Sequence, residues 1–72
     1  MYKYRGVLLT TKGLTAEDVE TLSSYNRFEF VRDSINFNDR KSLPNNEVLA
    51  VFEFYCNNRD LFNFTKIGGK LQ

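Results

Sequence analysis

"NEVLAVFEFYCN", residues 46–57, supports two incompatible readings, and the choice between them sets the fold. As a strand, its side chains alternate, with Phe52, Phe54 and Cys56 on one face and Glu53, Tyr55 and Asn57 on the other. As a helix, Asn46 caps it, Pro44 precedes it, and Glu47, Ala50, Glu53 and Asn57 form a polar stripe. Phe54 interrupts that stripe, and the β-branched and aromatic content favours the strand. The helical alternative gives a β-α-β-β-α-β order, the ferredoxin-like arrangement.

Downstream, "FEFYCNNRDLFNF" (52–64) reads as a hairpin with a loop centred on Asn58, Arg59 and Asp60. Phe62 and Phe64 then share a face with Phe52, Phe54 and Cys56, opposite Leu61, Asn63 and Thr65. Upstream, "FEFVRDSINF" (28–37) repeats the pattern. With Arg32 and Asp33 as the turn, Phe28, Phe30, Ile35 and Phe37 line one face, and Glu29, Val31, Ser34 and Asn36 the other. Arg-Asp lacks the Gly or Asn that a tight hairpin turn wants. The two stretches read as one amphipathic pattern met twice, since two copies make no repeat architecture. Their phenylalanines, Phe28, Phe30, Phe37, Phe52, Phe54, Phe62 and Phe64, are assigned to a core or a dimer interface.

"KGLTAEDVETLSSYN" (12–26) carries helix signals. Thr15 and Asp18 have capping-box spacing, Leu14 and Val19 that of a hydrophobic staple, and Glu17 and Asp18 favour the positive end of the helix dipole. Val19, Leu22 and Tyr25 form a thin apolar stripe, suited to covering a sheet from one side. "YKYRGVLLTT" (2–11) reads as a strand with apolar side chains on both faces at its far end, as a central strand has. Gly6 in it marks a bulge or a close approach. "NDRKSLPNN" (38–46) is a polar connector whose Pro44 bars ladder pairing. The expected fold is α+β: one helix at about 15–25 on a mainly antiparallel sheet of four to five strands, in the order β-α-β-β-β-β. Residues 1–67 form a single small domain, and 68–72 a flexible tail hinged at Gly68 and Gly69.

The chain has 72 residues, 42% of them hydrophobic and 26% charged, so it is a folding domain near the lower size limit. Self-association as a homodimer would relieve so small a core. Net charge is +1, with basic ends (Lys3, Arg5, Lys12; Lys66, Lys70) and an acidic middle. A nucleic-acid binder shows a stronger basic excess. Cys56 is the single cysteine, no signal peptide or apolar span is visible, and the setting expected is cytoplasmic, with no membrane.

There is no histidine, which removes the commonest general base and most transition-metal sites. Cys56, on an apolar strand face, reads as an inert buried thiol. The carboxylates match no calcium loop or paired-acid site, and "TTKG" (10–13) lacks the glycines of a phosphate loop. No enzymatic activity, metal or cofactor is expected.

The functional expectation is a small intracellular binding or regulatory protein acting on a protein partner, itself included. Frequent Asn alongside Phe, Tyr, Lys and Ile is the bias of AT-rich genomes, and suggests a phage- or mobile-element-encoded modulator or inhibitor of a host protein. The alternative is single-stranded nucleic-acid binding. Tyr2, Lys3, Tyr4 and Arg5 interleave rings with cations, and Lys66 and Lys70 join them if the terminal strands are neighbours. An edge strand protected by Lys and Arg explains the same residues more simply.

Overall fold

A computed structural model describes residues 1–38 and 46–72. The fold is α+β, with a five-stranded antiparallel sheet and two helices on one of its faces. In chain order the elements are β1 (Tyr2–Thr11), α1 (Ala16–Tyr25), β2 (Glu29–Phe30), β3 (Asn36–Asn38), β4 (Glu47–Cys56), α2 (Leu61–Lys66) and β5 (Lys70–Leu71). The connector expectation for 39–45, Pro44 included, lies outside the described residues.

The decisive stretch is a strand. β4 pairs with β1 over ten residues, from Tyr2 opposite Cys56 to Thr11 opposite Glu47. Its even-numbered side chains, Val48, Ala50, Phe52, Phe54 and Cys56, are all buried, and all but Val48 join the core under the helices. Period-2 burial on a long partner is what a strand offers these residues and a helix does not.

Neither expected hairpin forms. β2 and β3 do not pair with each other; both lie along the same edge of β4, Phe30 opposite Phe54 and Phe37 opposite Ala50. Arg-Asp cannot readily supply the positive φ of a hairpin turn, and Arg32–Ser34 instead makes one 3-10 turn from which the chain continues in the same direction. Ser34 repairs the gap that the turn leaves in the ladder. The Glu53 N–H donates to Ser34 Oγ at 2.8 Å, and Ser34 Oγ donates to the Val31 carbonyl at 2.6 Å.

The second expected hairpin becomes a 3-10 turn, Asn58–Asp60, and then α2. The second helix therefore exists, but at 61–66 rather than 46–57. On a helix, residues two apart point to nearly opposite sides. Phe64 is fully buried while Phe62 is 69% exposed, which corrects the expectation that both share one face.

α1 begins as its sequence signals. The Asp18 N–H donates to Thr15 Oγ1 at 3.3 Å, and the Thr15 N–H donates to Asp18 Oδ2 at 2.9 Å, completing the capping box. It ends in a Schellman-type turn, with Arg27 at φ 60° and the Phe28 N–H bonded to the Ser23 carbonyl. Val19 and Ser23 are the buried residues of this helix and Leu22 packs at the core's edge. Tyr25, expected on the apolar stripe, points to solvent.

The core joins Leu8, Val19, Phe28, Ala50, Phe52, Phe54, Cys56 and Phe64. Phe64 is its hub: ring contacts reach Phe28, Phe52 and Phe54 at centroid separations of 5.6, 5.9 and 4.5 Å. Its ring lies against Gly6 and Gly69, where a Cβ would come within 2.6 and 2.5 Å of ring carbons. The close approach marked by Gly6 is therefore made by a side chain. Gly69 serves the same ring, so the C-terminal residues are not the expected free tail. β5 pairs with β1, Gly6 opposite Leu71 and Val7 opposite Lys70.

Candidate interaction surface

Strand parity divides the sheet into two chemically distinct faces. Residues opposite each other in an antiparallel ladder point the same way, so Leu8, Ala50, Phe52 and Phe54 define the helix-covered face. On the other face, β1 contributes Lys3, Arg5, Val7, Leu9 and Thr11, and β4 contributes Glu47, Leu49, Val51, Glu53 and Tyr55. Glu29, Asn36, Asn38 and Lys70 share that face from the flanking strands. No described helix covers it.

At its centre Val7 and Val51 face each other, as do Leu9 and Leu49. Val51 is buried between its strand neighbours, whereas Leu9 stands 50% exposed. A shallow groove of about 270 Å³ runs past Val7, Leu9, Leu49, Gly68 and Lys70. Charges of both signs surround this apolar centre: Lys3, Arg5 and Lys70 against Glu29, Glu47 and Glu53. Lys3 Nζ lies 3.4 Å from Glu53 Oε1 and 6.0 Å from the centre of the Tyr55 ring. A pair this exposed adds little stability but sets the local pattern of charge.

The residues proposed from the sequence as an interaction surface are split by this geometry. Lys3, Arg5 and Lys70 come together on the uncovered face. Tyr4 points the other way, stacking on Phe54 at 5.8 Å and donating its hydroxyl to Asn58 Oδ1 at 2.8 Å. Tyr2 shares Tyr4's face at the exposed end of the sheet, opposite Cys56. Lys66 sits in the last turn of α2, in the helical layer. Strand alternation thus puts the rings and the cations of "YKYR" on opposite sides.

Of the seven phenylalanines, Phe28, Phe52, Phe54 and Phe64 are buried in the core and Phe30 packs against it. Phe37 and Phe62 are exposed on the helix side of the sheet and on α2. What sequence reasoning missed is the apolar quartet Val7, Leu9, Leu49 and Val51, together with Tyr55. The signal was present: both 7–9 and 49–51 carry apolar residues at odd as well as even positions, leaving a second face partly apolar.

Elsewhere the titratable groups do structural work. Arg32 reaches Glu20 at 3.1 Å and Glu17 at 3.6 Å, tying the 3-10 turn to α1. Burial first, then the Asp60 carboxylate, raises the Cys56 thiol above its ordinary 9.0, with the N-terminal ammonium opposing. Among the described residues, no group of three or more His, Cys, Asp or Glu is arranged to hold a metal ion. No described helix is long and apolar enough to cross a membrane.

The fold and surface define a small α+β module with one sheet face covered by the described helices and one that they leave uncovered. Comparison with protein-family models, with curated proteins and with solved structures found no match.

Proposed function

We propose that this chain is a non-enzymatic binding or regulatory protein that docks a protein partner on its uncovered sheet face. One observation carries the reading: an apolar centre, with Leu9 half exposed, is ringed by charges of both signs on a face that no described helix covers. Apolar centre and polar rim is the anatomy of protein-binding patches. The lone buried cysteine fits a cytoplasmic setting. The Asn-rich composition fits a phage- or mobile-element-encoded modulator of a host protein.

Single-stranded nucleic-acid binding is the second reading, supported by Tyr55 beside Lys3, Arg5 and Lys70 on the same face. Three carboxylates, Glu29, Glu47 and Glu53, offset those three cations, and such a balance weakens attraction to phosphate.

Paired affinity capture tests the proposal, with the wild type and Leu9→Arg as baits in extract and the solution mass of each recorded. A protein retained by the wild type and lost by the folded variant is expected; a homodimer dissociated by Leu9→Arg meets the same criterion. A monomer with no Leu9-dependent partner refutes the reading. Salt-sensitive oligonucleotide binding that disappears with Arg5→Ala would put the second reading in its place.

A further inference from the structure

Among the described residues, strand β5 leaves part of the edge of β1 unpaired. It is two residues long and covers β1 only at Gly6 and Val7, with one further bond from the Gln72 N–H to the Arg5 carbonyl at 2.9 Å. In an antiparallel ladder, alternate residues direct both backbone groups to the same neighbour. Since Arg5 turns its carbonyl to β5, Leu9 and Thr11 turn theirs to the same side, beyond the point where β5 begins. Gly68, at φ 95°, bends the preceding chain away, and the Gly68 and Gly69 N–H groups bond to the Thr65 and Phe64 carbonyls of α2. The Thr11 carbonyl accepts the Leu14 N–H at 3.2 Å. Among the described residues, this leaves the Leu9 N–H and carbonyl and the Thr11 N–H at the edge without a backbone partner.

We propose that this edge is a strand-addition site for an extended peptide of a partner protein, apolar where it meets Leu9 and acidic where it meets Lys70. The inference rests on the protein-binding reading and names how binding occurs. In strand addition, main-chain hydrogen bonds supply affinity and pockets for alternate side chains supply selectivity. Here the groove of about 270 Å³ borders the same edge, lined by Val7, Leu9, Leu49, Gly68 and Lys70. An entering strand antiparallel to β1 extends the row of β5, and its side chain opposite Leu9 points over that groove. Its C-terminal end approaches Lys70, the charged residue of the lining.

Charge selects the occupant. A second copy of this chain would offer its own edge, Leu8–Thr11, which has no carboxylate to meet Lys70. A foreign strand with a carboxylate near its C-terminal end supplies one and complements Lys70.

The test is an NMR titration of the isotopically labelled chain with a capped peptide of about seven residues, long enough to span the edge. The peptide alternates valine and threonine and ends on glutamate. A second carries lysine in place of that glutamate, and a third is N-methylated at alternate backbone positions. Shifts should concentrate at the Leu9, Thr11, Gly68 and Lys70 amides, with slowed exchange of the Leu9 and Thr11 N–H groups. N-methylation should weaken binding at least about tenfold, as loss of two main-chain hydrogen bonds requires. The lysine peptide should bind less well, and Lys70→Glu should reverse that preference. Equal binding of the N-methylated peptide, with shifts at Lys3, Val51 and Tyr55, overturns edge pairing and leaves docking on the open face standing. Absence of shifts with all three peptides at millimolar concentration also overturns it, while the Leu9-dependent capture decides the broader reading on its own.

Discussion

Adding one methyl group at Gly69 tests the packing of the core at its tightest point. A Cβ there would lie 2.5 Å from Phe64 Cε2 and Cζ and 2.7 Å from Cδ2. Carbon atoms rest about 3.5–4.0 Å apart, so the overlap is about 1 Å and falls on a ring with no free space. Gly69 does not have a positive φ, so the cost of Gly69→Ala is steric rather than conformational. Overpacking of this kind costs about 1–3 kcal/mol, offset by about 0.4–1 kcal/mol from the stiffer unfolded chain. The expected net loss is about 0–2.6 kcal/mol, out of a total stability of about 4–11 kcal/mol for a chain this size. Phe64→Leu alone should cost about 1–2 kcal/mol through lost contacts. Combined, the new methyl occupies space that the ring vacated. The double mutant should therefore be more stable than the summed losses predict, by about 1 kcal/mol or more. Urea unfolding followed by circular dichroism reads this directly: with a slope near 1 kcal/mol per molar, the coupling shifts the midpoint by about 1 M. Gly68→Ala is the control. Its φ is 95° and nothing lies within 4 Å of the added Cβ, so its loss should come from the backbone and show no coupling to Phe64. Additivity of Gly69→Ala and Phe64→Leu within about 0.5 kcal/mol would refute the ring-on-glycine account.

Three further outcomes are expected. Phe62→Ser should change stability by less than about 0.5 kcal/mol, whereas Phe64→Ala should cost about 3–5 kcal/mol and bring the chain to the margin of folding; equal losses in urea melts would favour a hairpin over α2. Ser34→Ala orphans the Glu53 N–H in the sheet edge and should lower stability by about 1–3 kcal/mol, with faster exchange of that amide by NMR. Because burial raises the Cys56 thiol in the folded state, its contribution to stability is complete below 9.0 and declines as pH rises above that value. The urea midpoint should thus fall more between about pH 8 and pH 10 in the wild type than in Cys56→Ala, and equal falls would contradict the assignment.

The elements legible in the sequence are those whose determinants are local. Thr15 and Asp18 satisfy each other's backbone groups across three residues, so the start of α1 needs no distant partner. The 46–57 stretch carries enough β-branched and aromatic side chains to favour a strand, and its ten-residue pairing with β1 excludes the helix. Misreading began where a local pattern fitted two structures. "LFNF" places phenylalanines two apart, which suits a strand as well as a six-residue helix with one ring in and one ring out. So short a helix is not stable alone; it exists because Phe64 fills the space over Gly6 and Gly69. The open face was half visible, since Val7, Leu9, Leu49 and Val51 announce a second apolar surface, but not which strands would be neighbours.

By itself, then, the sequence determined the α+β class, the cap and span of α1, the strand at 2–11 and the lack of histidine chemistry, and it favoured a strand over a helix at 46–57, all through alternation, capping and composition within a few residues. Tertiary structure alone decided that β2 and β3 share one edge of β4, that 61–66 coils into a helix, and that 70–71 returns to β1. Those outcomes depend on one phenylalanine ring, two glycines and one serine hydroxyl meeting across the whole length of the chain, and no local pattern encodes such meetings.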